Sequence, residues 1–141
     1  MEKNYHFSKE LTYSVEKVWN ALLKPDEIIM EKNAVYEKIS NTKWIEHTSE
    51  TIDNVYQVSI IENHELLIEI ENSKYHGEKN VIDLKVSEKG TSCELSVHYT
   101  IGTKAIFNMI SLEFLGNTIA HHISNVIMIN LDKKCRSTKE D

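Results

Sequence analysis

The chain has 141 residues, 40% of them hydrophobic and 27% charged, with a formal net charge of −6. That length suits a single domain able to bury a real core. Lysines interspersed with glutamates, and Arg136 as the only arginine, exclude the clustered cations that nucleic-acid phosphates require. No run reaches the ~20 apolar residues of a membrane-spanning helix. The opening MEKNYHFSKE lacks the apolar core of a signal peptide. A cytoplasmic protein without a transmembrane segment is therefore expected, and Cys93 and Cys135, neither at metal-site spacing from another cysteine, are expected to be free thiols.

Residues 4–11, NYHFSKEL, alternate with Tyr5, Phe7 and Leu11 on one side and predict a half-buried strand. Ser14 is a good N-cap, and Glu16 lies in the first turn, where the helix dipole favours a negative charge. Val15, Val18, Trp19 and Leu22 share one helical face. Pro25, the only proline, disfavours helical geometry at Lys24 and suits the first turn of a new helix, so two short helices at an angle are predicted.

From residue 34 to 101 come six β-rich runs: AVYEKIS, KWIEHT, NVYQVSII, ELLIEIE, NVIDLKV and SCELSVHYTI. Turn-prone pieces such as TSETID and NSKYHGEK separate them, which predicts an antiparallel meander. Alternation places Tyr56, Val58 and Ile60 on one face, and likewise Leu66, Ile68 and Ile70. The same holds for Ile82, Leu84 and Val86, and for Cys93, Leu95, Val97 and Tyr99. A sheet apolar on one face needs a cover.

Residues 104–134, with one glycine and no proline, supply it as a helix of about 45 Å. Ala105, Met109, Leu112, Gly116, Ile119, Ile123, Ile127 and Leu131 form a continuous stripe, and Lys133 and Lys134 suit the C-terminal end. The first half is apolar nearly all round, with Ile106, Phe107, Ile110 and Phe114 widening the stripe, so it is expected to be buried on most sides or to border an interior space. Gly116 would allow a bend or a close approach to the sheet. The domain is read as residues 1–135, followed by a polar tail at 136–141 that takes in the residues after Cys135.

This order of elements resembles the helix-grip fold of the START-like superfamily, also called the Bet v 1-like or SRPBCC group. YSVEKVWNALLKPDEI, residues 13–28, is similar to the family's opening, a strand leading into a helix of the form VWxALxxPxxI. The similarity lies nearest the polyketide cyclase/dehydrase-like and chaperone-activator-like groups. It implies an α+β domain in which a curved antiparallel sheet of about seven strands is braced at one end by two short helices. Trp19 would be a packing anchor in that brace, and the long helix would lie across the concave face. Family members bind hydrophobic small molecules such as lipids, sterols and polyketides in the gap between sheet and helix.

With alternation deciding which side chains point inward, the expected ligand-binding residues are Tyr56, Ile60, Ile68, Leu84, Tyr99, Met109, Ile110 and Phe114. The two tyrosine hydroxyls would orient a ligand, and Met109 would adapt to its shape. Catalysis would need an acid/base pair in the cavity, for which Glu37, Glu46, His47, His98 and Glu113 are candidates, although alternation puts His98 on the outer face. There is no nucleophile elbow, phosphate loop or dinucleotide fingerprint, so no catalytic residue is assigned and no cofactor is expected. His121 and His122 point about 100° apart, whereas chelation from one helix needs i, i+4 spacing, so no metal is expected either.

Three readings follow. The leading one is a carrier of a hydrophobic small molecule, lipid or polyketide-like. The second is a cyclase- or dehydratase-type enzyme, and the third a chaperone-partner module with an exposed apolar patch at Ile28, Ile29 and Met30 or at VIMI, 126–129. Met128 and Ile129, off the main stripe, offer a homodimer contact.

Overall fold

A computed structural model describes residues 2–31, 33–48, 53–72, 79–103 and 106–137. Strand β1 (Glu2–Leu11) leads into helices α1 (Val15–Leu22) and α2 (Pro25–Ile29). Strands β2 (Val35–Lys38), β3 (Lys43–His47), β4 (Asp53–Glu62), β5 (Glu65–Asn72), β6 (Lys79–Lys89) and β7 (Ser92–Gly102) follow, and α3 (Ile106–Ser137) ends the chain. Ala105, the side chains of Ile106 and Phe107, and most of the turns TSETID and NSKYHGEK lie outside the described residues.

Local chemistry accounts for the first helices. The Ser14 side chain accepts the Lys17 backbone N–H at 3.2 Å, and Val15, Val18, Ala21 and Leu22 are buried. Lys24 takes a non-helical backbone (φ −118°, ψ 70°) before Pro25, which opens α2. Trp19 is only half-buried and meets the His64 ring edge-on at 5.6 Å; Val18 and Leu22, fully buried, are the anchors of the brace.

The seven strands form one antiparallel sheet in the order β1-β7-β6-β5-β4-β3-β2, so the meander is extended by pairing the first strand with the last. The sheet is curved, and α3 lies across its concave face. Register aligns the apolar positions into rows across the strands. One row runs Tyr5, Tyr99, Ile82, Ile68, Val58, and the next Phe7, Val97, Leu84, Leu66, Ile60. Ile60 ends its row 63% exposed, where the register shifts before Glu62.

Helix α3 buries Leu112, Gly116, Ile127 and Leu131 of the expected stripe, but Ala120 and Ser124 face inward in place of Ile119. The buried line is Leu112, Gly116, Ala120, Ser124, Ile127, Leu131 and Cys135. Ile119 is 42% exposed, and Ile110 and Phe114 are 53% and 79% exposed. The small residues Gly116, Ala120 and Ser124 face inward because the helix comes close to β1 there. A methyl at Gly116 would overlap the Tyr5 hydroxyl and stand 2.9 Å from Leu112 Cδ1. Close approach, one of the two roles expected of Gly116, turns the bulky line of Ile110, Phe114, Leu115 and Ile119 outward.

Beyond this point α3 is joined to α1 and α2. Tyr13 Oη donates to Asp132 Oδ1 at 2.8 Å, and Asn130 Nδ2 donates to the carbonyls of Ile28 and Met30 at 2.8 and 3.1 Å. Lys134 pairs with Glu27. Ile28, Ile29 and Met30 are therefore buried rather than an exposed patch, and Met128 packs on the core while Ile129 is 54% exposed. The helix also runs past Lys134 to Ser137, so Arg136 and Ser137 are helical rather than tail. Cys135 is buried, as is Cys93, and burial holds both free thiols above the ordinary range.

Two predictions arise from this packing. Alanine in a helix normally gains about 1 kcal/mol over glycine, but overpacking costs ~1–3 kcal/mol. Gly116→Ala should thus lower stability by about 1 kcal/mol in urea denaturation, and the same change in a Tyr5→Phe background should stabilise.

The second concerns the core phenols Tyr56 and Tyr99, which burial pushes far above their ordinary range, with the Glu46 carboxylate adding to the effect at Tyr56. Above pH ~10 the unfolded chain releases these protons while the folded protein keeps them, so stability, full below that pH, falls as pH rises further. The urea midpoint should drop between about pH 9 and 11, and Tyr56→Phe with Tyr99→Phe should flatten that decline.

Candidate functional site

The close approach of α3 at Gly116 and its attachment to α1 and α2 leave a space between the helix and the β3–β6 part of the sheet. It is a cavity of about 270 Å³. Its apolar wall is Ile29 from α2, Ile70 and Ile82 from the sheet, and Ile123 and Val126 from α3. Its polar groups are Glu31, Glu46, Thr48, Tyr56 and His122. A largely apolar wall with a few convergent polar groups is the usual make-up of a small-molecule site, at the compact end of the ~300–1,000 Å³ range.

Two hydrogen-bonded pairs supply most of the polarity. Tyr56 Oη donates to Glu46 Oε1 at 3.0 Å, and Asn54 Nδ2 donates to the same oxygen at 2.8 Å. Their cross-strand placement explains this: Glu46 pairs with Asn54 and Trp44 with Tyr56. The Trp44 ring stacks on Tyr56 at 4.9 Å, with 9° between planes, and so fixes the direction of the phenol. Burial first, then the nearby Glu46, holds that phenol in its neutral form. At the exposed rim His122 Nε2 lies 2.6 Å from Glu31 Oε1, linking α3 to the segment after α2.

Of the expected lining, Tyr56 borders this cavity. Ile68, Leu84 and Tyr99 are buried in the core beside it, and Met109 is half-buried on α3. Ile60 borders a separate hollow of about 180 Å³ with Leu22, Leu23, Pro25, Val58 and Leu66. Ile110 and Phe114 are exposed for the reason given above, and they do not line either space.

Among the acid/base candidates only Glu46 reaches the cavity. His47 Nδ1 lies 2.7 Å from Asp53 and its Nε2 3.9 Å from Glu37, in an exposed group. His98 is exposed with Nε2 3.3 Å from Asn4 Oδ1, and Glu113 pairs with Lys3 at 3.0 Å. His121 packs on the Phe7 ring, 4.7 Å between centroids, while His122 is at the cavity. Among the described residues no group of three His, Cys, Asp or Glu could hold a metal ion, and no helix is long and apolar enough to cross a membrane.

Sequence reasoning missed Glu31, Thr48 and His122, which meet only through tertiary packing. Ile70, Ile82 and Ile123 were already on inward-facing lines, so their part in the wall was within reach of the alternation.

No protein-family model matches the chain, and no curated protein does. Solved structures do match. A conserved protein from Geobacillus kaustophilus is 18% identical, with a TM-score of 0.69 over 95% of each chain. Norcoclaurine synthase from Thalictrum flavum, in complex with dopamine and hydroxybenzaldehyde, is 11% identical, with a TM-score of 0.73 over 100% of this chain and 90% of its own. Ara h 8.0201 is 10% identical, with a TM-score of 0.66 over 98% of this chain and 100% of its own. The chain has a helix-grip fold, which it shares with these structures.

Proposed function

We propose that this protein binds and carries a small hydrophobic molecule in the cavity between α3 and the sheet. The observation that supports this reading is the make-up of the cavity wall: five aliphatic side chains, with polar groups gathered around Glu46, Tyr56 and the Glu31–His122 pair. Carriage inside the fold is consistent with norcoclaurine synthase, a protein of the same fold, having been solved with dopamine and hydroxybenzaldehyde. The buried free thiols suit a reducing compartment, and we place the protein in the cytoplasm on that ground.

A second reading, a cyclase- or dehydratase-type enzyme, is favoured by one contact, the 3.0 Å hydrogen bond between Tyr56 and Glu46. A phenol held neutral beside a carboxylate offers a proton donor and a base at one wall of the cavity. Under that reading Glu46→Gln would abolish turnover while leaving a bound substrate in place.

Val126, half-buried on α3, borders the cavity without being in the fully buried core. Val126→Trp should fill the space and weaken binding of a neutral fluorescent hydrophobe about tenfold or more, a change of ~1.4 kcal/mol or more. Its far-ultraviolet circular dichroism should match that of the parent protein. Failure of the parent protein to bind any of a panel of fatty alcohols, sterols and polyketide-like aromatics would sink the carrier reading.

A further inference from the structure

We infer that the cavity selects an apolar molecule carrying a protonated amine, and that the Glu46 carboxylate, supported by Glu31, is the group that selects it. This inference rests on the carrier reading and adds the chemical class of the ligand.

Glu46 is half-buried, and Oε1 takes both of its hydrogen bonds, from Tyr56 and from Asn54. Oε2 has no partner among the described residues, and among those residues no Lys or Arg borders the cavity. A carboxylate removed from most of its water, and not paired with a cation, attracts a positive charge more strongly than an exposed one does. A second carboxylate, Glu31, stands at the exposed rim. Glu31 gives one oxygen to His122, and the other has no partner among the described residues. The net charge of −6 adds a general attraction for cations and a penalty for anions.

The donors available to a ligand are few. The Tyr56 hydroxyl proton is directed at Glu46, so the inner polar wall presents acceptors. A carboxylate-ended molecule would face the like charges of Glu46 and Glu31, with the one imidazole among the lining residues, His122, already engaged by Glu31, whereas an ammonium would donate to the unused acceptor position of Glu46 Oε2. The cavity volume of about 270 Å³ limits the apolar body to a compact ring system or a short branched chain.

The test is calorimetric titration near neutral pH with three ligands that share one ring system: naphthylmethylamine, naphthylmethanol and naphthoate. The amine should bind about tenfold more tightly than the alcohol, as expected for a charge-assisted hydrogen bond, and naphthoate should bind weakest. In Glu46→Gln the ratio of amine to alcohol affinity should fall toward one, with Glu31→Gln causing a smaller fall. Equal binding of amine and alcohol by the parent protein would overturn the inference and leave the carrier reading intact. So would tightest binding of naphthoate. An amine preference that persists in both variants would remove the two carboxylates as its cause. Absence of binding by all three would defeat the inference together with the carrier reading for compact aromatics, and the fluorescent-hydrophobe titration separates those two failures.

Discussion

The seating of α3 sets the geometry of everything else. Around its middle the helix turns the small residues Gly116, Ala120 and Ser124 toward the sheet, and it approaches β1 until no space remains for a methyl at Gly116 beside Tyr5. In its second half it is tied to α1 and α2 through Tyr13–Asp132, through Asn130 to the α2 carbonyls, and through Lys134–Glu27. A long helix held in both places does not also close on the curved sheet on the side of β3 to β6. The cavity is that mismatch. Its walls are aliphatic because the flanking rows of the sheet continue the core, and its polar groups enter where β3 and the segment after α2 meet the helix.

Most of the fold could be read from period and punctuation. Ser14 and Pro25 mark the two short helices because a cap and a fixed backbone angle act locally. The inward sets on β5, β6 and β7 follow from strict alternation, since a shift of one residue would turn every apolar side chain to water. The rotation of α3 was harder to read. Hydrophobicity alone ranks Ile119 above Ala120, yet Ala120 is 1% exposed and Ile119 42%. Where a helix must come close to a sheet, small size outweighs apolar area, because a bulky side chain would hold the two apart. The same close approach left Ile110 and Phe114 outside, and alternation along β4 could not reveal the register shift that leaves Ile60 63% exposed.

The site was legible in part. Tyr56 was found because its alternation set points inward. Glu46 was among several carboxylates and histidines, and its distinction is register: it faces Asn54 across β3 and β4, two residues from the Trp44–Tyr56 pair. Glu31 and His122 are 91 residues apart and come together only because α3 returns over α2. No local pattern encodes such a meeting. Polar side chains on an otherwise wet helix face carry no mark of which one will border an interior space.

We propose that the space between α3 and the sheet, and no exposed apolar surface, receives the ligand. Isoleucine-methyl NMR tests it directly, because isoleucines lie at both kinds of place. On titration with naphthylmethanol, the δ1 methyls of Ile29, Ile70, Ile82 and Ile123 should shift together. Those of Ile110, Ile119 and Ile129, exposed on α3, should stay in place. Shifts confined to the exposed set, with the cavity methyls unmoved, would contradict the claim.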